Sequence, residues 1–280
     1  MNTNIISRRC FLGAMAAASL AASASDSKSI PVGLELYSVR DDLEKDLTGT
    51  VRGVAHMGYQ CVEFYAPYYD WTTDYAVEVR HELDELGIHC FSTHNGLKSF
   101  SEGFAKAFDL NMSLGSRYVV LASPGKLKSL DDYKRVAETL NRANERMKPQ
   151  NLHAGYHNHD AEWRPIGGQR PIDVLSAALD KDIMLQFDVG TCLEAGGDPV
   201  AWIKQNPGRI RSMHVKDWSP QRGYKVLTGE GIAPWEKIFA AAETTGGIEY
   251  YLIEQEGSDY PEMETAEKCL AAFRRLHGGR

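Results

Sequence analysis

No two cysteines stand at CxxC spacing, no GxGxxG turn follows the first apolar run, and no Pro/Ser-rich linker or composition break divides the 280 residues. The first absence argues against a zinc knot or a disulfide framework. It leaves Cys61, Cys90, Cys192 and Cys269 as small buried residues, three of them in or beside apolar runs. The second counts against a doubly wound dinucleotide-binding sheet, since Val32 to Arg40 holds one glycine, Gly33. The third favours one continuous domain of a size at which α/β barrels are built. Positive charge is also scarce: 31 Lys+Arg face 38 Asp+Glu, a formal −7. That withholds the electrostatic footprint needed to wrap nucleic acid or an anionic membrane.

A membrane-length apolar run is missing as well. The stretch 11–24 is short and alanine-rich, whereas a span needs about 20 strongly apolar residues. It follows Ser7-Arg8-Arg9-Cys10-Phe11-Leu12 and ends at Ala22-Ser23-Ala24, the three regions of an export signal. Residues 1–24 are therefore expected to be a twin-arginine signal, with an uncleaved anchor or a plain tail as the alternatives. The mature protein is then expected to be exported and periplasmic, with no stable membrane span. Losing Arg8 and Arg9 and no acid takes the formal charge from −7 to −9. Twin-arginine export usually carries proteins folded beforehand, often with a cofactor in place.

What is present is a period. Apolar, β-branched or aromatic runs begin near Val32, Gln60, Ile88, Arg117, Leu152, Met184, Ile210 and Tyr250, with gaps of 28, 28, 29, 35, 32, 26 and 40 residues. Each gap is close to one βα unit. Between them the pattern turns helical: Leu43, Leu47, Val51 and Val54 draw one stripe, and Tyr133, Val136, Leu140, Ala143 and Met147 another. Ser129 with Asp132 offers a capping box, and Gly58, Gly87 and Gly115 sit where left-handed C-caps are wanted. Eight alternating units predict an α/β fold, a closed (β/α)₈ TIM barrel over about 30–278.

A barrel of this kind carries its site at the carboxyl ends of its strands. Four polar strings fall there: Tyr156-His157-Asn158-His159, Phe187-Asp188-Val189-Gly190, His214-Val215-Lys216-Asp217 and Ile253-Glu254-Gln255-Glu256. His157 and His159, two apart, are expected to share a strand face, as are His214 and Lys216. Asp188 needs a cation or several donors; an N-cap is its bland alternative, weakened by Gly190 and the Gly196-Gly197 pair, which suggest a loop. Converging imidazole and carboxylate groups make His157, Asp188, His214 and Glu254 candidate ligands of one divalent ion. Mn, Co, Zn, Fe or Ni suit such a set better than Ca or Mg.

From Val32 onward the chain resembles the xylose isomerase-like barrel superfamily, which includes sugar phosphate isomerases/epimerases, tagatose 3-epimerase-like enzymes, inosose dehydratases and endonuclease IV. The matching residues are Gly33-Leu34-Glu35-Leu36-Tyr37-Ser38-Val39-Arg40, His94, the four strings, and Gly229-Glu230-Gly231 followed by Trp235. The resemblance implies a metal held on strands five to eight by Glu, Asp, His and Glu. Asp188, His214 and Glu254 match the last three, and His157 departs from the first. Thr191 departs from the nuclease branch, which carries a histidine there. The implied chemistry is metal-assisted proton transfer next to a sugar carbonyl, with His159 or Glu254 as base and Lys216 polarising an oxygen or holding substrate. His94, Glu63, Trp218 and Glu230 are candidate substrate contacts, and Trp71 and Trp163 are further loop aromatics that stack on sugar or pack the rim. The leading expectation is a sugar isomerase/epimerase. A dehydratase or 3-keto-glycoside lyase using the same enediolate is the alternative, and a non-catalytic sugar-binding barrel stands further off. A carbohydrate is the expected partner, and the oligomeric state, a homo-oligomer included, stays open.

Overall fold

Runs of four to eight β-branched and aromatic residues form eight strands. They are β1 (Val32–Glu35), β2 (Cys61–Phe64), β3 (His89–Gly96), β4 (Tyr118–Ser123), β5 (His153–His157), β6 (Met184–Asp188), β7 (Ser212–Val215) and β8 (Tyr250–Ile253). The computed structural model describes residues 30–278, and the expected export signal over 1–24 lies outside them. All eight strands pair in parallel and in chain order, and β8 closes on β1 with Gly33 opposite Leu252. The returns are helical: α1 (Arg40–Lys45), α2 (Leu47–Met57), α3 (Thr73–Glu85), α4 (Phe104–Leu114), α5 (Leu130–Met147), α6 (Pro171–Ala178), α7 (Val189–Glu194), α8 (Pro199–Gln205), α9 (Trp235–Ala241) and α10 (Glu262–Gly278). The fold is the (β/α)₈ barrel that the period predicts. Among the described residues no helix is long and apolar enough to cross a membrane.

Strand alternation sorts the side chains into two layers. Outward positions such as Leu34, Val119, Phe187, Met213 and Ile253 pack under the helices in the large core. Inward positions make a second, smaller apolar cluster from Cys61, Tyr118, Val120, Met184, Tyr250 and Leu252, which fills the barrel toward its amino-terminal end. One or two inward steps further, at the carboxyl ends, the inward residues turn polar: Glu35, Glu63, His157, Gln186, Asp188, His214 and Glu254 are all buried.

The helices follow the periodicity with one correction. Tyr133, Val136, Leu140, Ala143 and Met147 are all buried along α5, and the Ser129–Asp132 capping box is present at its start. Gly58 and Gly115 end α2 and α4 with φ of +95° and +72°. The stripe Leu43, Leu47, Val51 and Val54, however, is two helices. Asp46 breaks it, taking an extended φ of −153° and accepting the Gly49 N–H at 2.9 Å with its side chain, which caps the start of α2.

Candidate active site and metal centre

β5 to β8 end side by side, so their last inward residues meet. One ligand atom from each of His157, Asp188, His214 and Glu254 lies within 4.8 Å of the others, and all four residues are buried. Two imidazoles and two carboxylates at this spread form the mixed N/O set that one first-row divalent cation accepts. Asp188 tests the fit. Its Oδ1 accepts the Thr191 N–H at 2.7 Å and caps α7, while its buried Oδ2 makes no hydrogen bond. The nearest cationic atom to Oδ2 is Lys216 Nζ at 3.6 Å, with His157 Nε2 at 4.0 Å. A buried carboxylate oxygen left in that state calls for a cation.

The histidines are oriented from below. His157 Nδ1 donates to Gln186 Oε1 at 3.1 Å, which leaves Nε2 with its lone pair on the cluster side. Burial first, then the neighbouring His214, His94 and His159 rings, hold His157 well below its ordinary pKa, so it is the neutral imidazole that a metal requires. His214 Nε2 meets Glu63 Oε1 at 2.9 Å and Nδ1 meets Glu254 Oε2 at 2.5 Å. Burial lowers the His214 pKa, but the two carboxylates outweigh it and push it up to about 9. Burial acts to raise Glu254, and Lys216 and His214 override it and hold the carboxyl well below the usual range.

Several expected residues sit differently from their sequence reading. Glu63, expected as a substrate contact, does not line the cavity. It is fully buried beneath the cluster, where its carboxylate takes His94 Nε2 at 3.0 Å, His214 Nε2 at 2.9 Å, Gln186 Nε2 at 2.8 Å and the Ser92 hydroxyl. A one-residue register shift between Val62 and Glu63 seats it opposite Ser92. Lys216 is 2% exposed, paired with Glu256 and 3.4 Å from Glu254 Oε1, buried beside the cluster. Gly190 lies inside α7 rather than in a loop, and a Cβ there would stand 3.0 Å from Lys216 Cγ. Asp188 thus makes the N-cap with Oδ1 and presents its unbonded Oδ2 among the other candidate ligands. His159 lies beyond the end of β5, exposed, with its ring 4.9 Å from that of His157.

Glu230 and Trp218 fall outside the cavity. Glu230 accepts the Leu227 N–H at 3.0 Å and tightens its own turn. The loop they belong to is gathered by Asp217, whose carboxylate accepts N–H groups from Trp218, Gly229, Gly231, Ala233 and the Trp235 indole at 2.9–3.2 Å. Trp163 is buried against Trp202 and Phe187, and Trp71 packs on Phe64 and Tyr75.

A cavity of about 340 Å³ opens over the cluster, within the size range of small-ligand sites. His94, His157, His159, Glu254 and Glu256 line one part of it, and Glu35 with Tyr37, Tyr65 and Tyr69 another. Glu35 and Gln186 escaped the sequence reading. Glu35 sits between two leucines, and Gln186 stands in the middle of an apolar strand. Burial, then the charges of Glu254 and Glu63, raise the Glu35 carboxyl well above the usual range.

Fold and site together define a (β/α)₈ barrel with a buried His/Asp/Glu constellation at its carboxyl-terminal mouth that could hold a metal ion. The chain belongs to the xylose isomerase-like TIM barrel family, whose sequence profile matches residues 51–276. An inosose dehydratase of Lacticaseibacillus casei is similar, 23% identical over 239 residues that cover 73% of this chain and 79% of that protein. A sugar phosphate isomerase/epimerase from Parabacteroides distasonis superposes with a TM-score of 0.76 at 25% identity, covering 90% of this chain and 96% of its own. The IOLI protein, solved with a bound zinc atom, gives 0.69 at 14% identity over 89% and 98%, a likeness of fold.

Proposed function

We propose that this chain is a divalent-metal-dependent enzyme that removes a proton beside the carbonyl of a sugar or sugar derivative and then expels an oxygen substituent from the next carbon. The observation that carries the reading is the cluster of His157, Asp188, His214 and Glu254 within 4.8 Å, under a cavity rimmed by His159. A cation held there, one of Mn, Co, Zn, Fe or Ni, would supply Lewis-acid stabilisation of the charge that develops on the carbonyl oxygen. The remaining work falls to the chain. His159, exposed at the mouth, takes the proton. Lys216 adds a fixed positive charge beside Glu254, and Tyr37, Tyr65 and Tyr69 wall the cavity against water. Gln186 and Glu63 keep the two ligand imidazoles in the correct tautomer.

Two observations favour elimination over reprotonation. β5 brings His157 to the cluster, so Glu254 has no glutamate facing it from β5 with which to trade a proton. The inosose dehydratase relative points the same way. Reprotonation, giving isomerisation or epimerisation, is the second reading and is favoured by the Parabacteroides likeness. The test is proton NMR in heavy water with ketoses, inososes and 3-keto-glycosides, using metal-loaded protein from which free ion has been removed. Deuterium at the carbon next to the carbonyl with loss of the neighbouring oxygen supports elimination. A deuterated isomer with no loss selects the second reading, and no exchange with any compound leaves a sugar-binding barrel. The proposal also places the mature enzyme in the periplasm, on the strength of Arg8-Arg9 and the alanine-rich stretch after them. Amino-terminal sequencing of the protein recovered from that compartment tests it.

A further inference from the structure

One buried acid at the cavity has no task in that reaction. Glu35 ends β1, is 1% exposed and lines the same cavity as His94, His157, His159 and Glu254. Its Oε2 accepts the Tyr37 N–H at 2.9 Å, which fixes the carboxyl on the turn that follows the strand. Its Oε1 is buried and has no partner. A polar atom in that position is costly to keep unless something that enters the cavity bonds to it.

Strand order supplies the direction. In a closed ring of eight, β1 and β5 are four strands apart whichever way one counts, so their ends face each other across the mouth. His159 follows the end of β5 and Glu35 forms the end of β1, which puts a base and an acid on opposite sides of whatever lies over the metal cluster. The rings of Tyr37 and Tyr65, 5.3 Å apart, stand with Glu35 in the cavity wall.

We propose that Glu35 is the proton donor to the departing oxygen, working across the barrel mouth from His159. The inference rests on the elimination reading and adds the second half of its proton balance. His159 takes the C–H proton, and the C–H electron pair becomes the enolate double bond. The enolate then re-forms the carbonyl, its double-bond pair becomes a new double bond to the neighbouring carbon, and the C–O bond there breaks with its electron pair going to oxygen, which receives the Glu35 proton and leaves as water or an alcohol. No oxidant or reductant is required. Acid and base on opposite sides select substrates whose departing hydrogen and oxygen lie anti to each other. Burial, then the charges of Glu254 and Glu63, raise the Glu35 carboxyl well above the usual range, the direction a proton donor requires.

The test compares the metal-loaded full chain with its E35Q variant on methyl and 4-nitrophenyl 3-keto-α-glucosides, two probes in which the departing hydrogen and oxygen lie anti and that differ in leaving group. E35Q retains an oxygen to accept the Tyr37 N–H. A good leaving group needs no acid, so kcat/KM should fall by roughly 10²–10⁴-fold for the methyl compound and by less than about tenfold for the 4-nitrophenyl compound. Deuterium exchange beside the carbonyl should stay near the unsubstituted rate. Equal losses on both probes, or no loss on either, overturn the role of Glu35, because a merely structural carboxyl does not discriminate between leaving groups. If E35Q does not fold, E35D carries the comparison: partial activity on the methyl probe with the 4-nitrophenyl probe spared supports the proposal, and equal loss overturns it. An unsubstituted enzyme that neither exchanges nor cleaves either probe fails at the parent reading instead.

Discussion

Asp188 acts through two oxygens that different substitutions separate. Oδ1 caps α7 through Thr191, and Oδ2 faces Lys216 and the candidate ligands without a hydrogen bond. Asp188→Asn keeps a capping oxygen and removes the charge, so bound metal and activity should be lost while the thermal midpoint of the metal-free protein barely moves. Asp188→Ala removes the cap as well and should cost roughly 1 kcal/mol more. Metal analysis and melting curves on both variants check this, and an asparagine variant that keeps full metal content would show that Oδ2 is no ligand. Strand-end polarity made His157, Asp188, His214 and Glu254 readable because a carboxylate or imidazole after four buried residues has few bland explanations. Glu63 is of the same inward parity but lies beneath the mouth rather than at its rim, and depth cannot be read from parity. Gln186 and Glu35 were hidden by their apolar neighbours, since one polar residue between hydrophobic ones reads as strand alternation. Trp218 and Glu230 were misplaced because an aromatic or an acid in a loop looks alike whether it faces substrate or organises the loop.

Among the elements, α5 was legible to its cap because amphipathic period, capping box and length all agreed. The first return was not: apolar spacing runs through Asp46 unbroken, and only the cap geometry shows that one helix ends and another begins there. Two substitutions separate elements that hold the scaffold from those that shape the mouth. Ser129→Ala removes the α5 cap at a residue that does not line the cavity and should lower stability by about 1 kcal/mol with turnover unchanged. Asp217→Ala leaves five N–H donors of the β7–α9 loop without their acceptor and should cost on the order of 3 kcal/mol. Because Lys216 is its immediate neighbour, that variant should also lose activity out of proportion to its stability. Denaturant unfolding alongside steady-state rates measures both, and a stability loss in Asp217→Ala no larger than in Ser129→Ala would remove the loop-gathering role.

For the molecule as a whole, the cluster should make stability depend on pH and, with an ion bound, on metal as well. In the metal-free chain His214 lies between Glu63 and Glu254, and its pKa of about 9 stands above the ordinary value near 6.5. Between those two values the folded state holds a proton that the unfolded chain has released. The stability it contributes is therefore complete below about pH 6.5 and is lost as the pH rises through about 9, on the order of 3 kcal/mol at most. A metal ion needs the neutral ring, so binding near pH 7.5 should release about one proton per ion and tighten as the pH rises. Chelated protein should then melt at falling temperature from pH 6.5 to 9.5, while metal-saturated protein holds its midpoint over the same range. Calorimetry in buffers of different ionisation enthalpy counts the proton. Flat melting of the chelated protein, or metal uptake without proton release, would mean that His214 is already neutral between its two carboxylates, and the proposed linkage of proton and metal would fall.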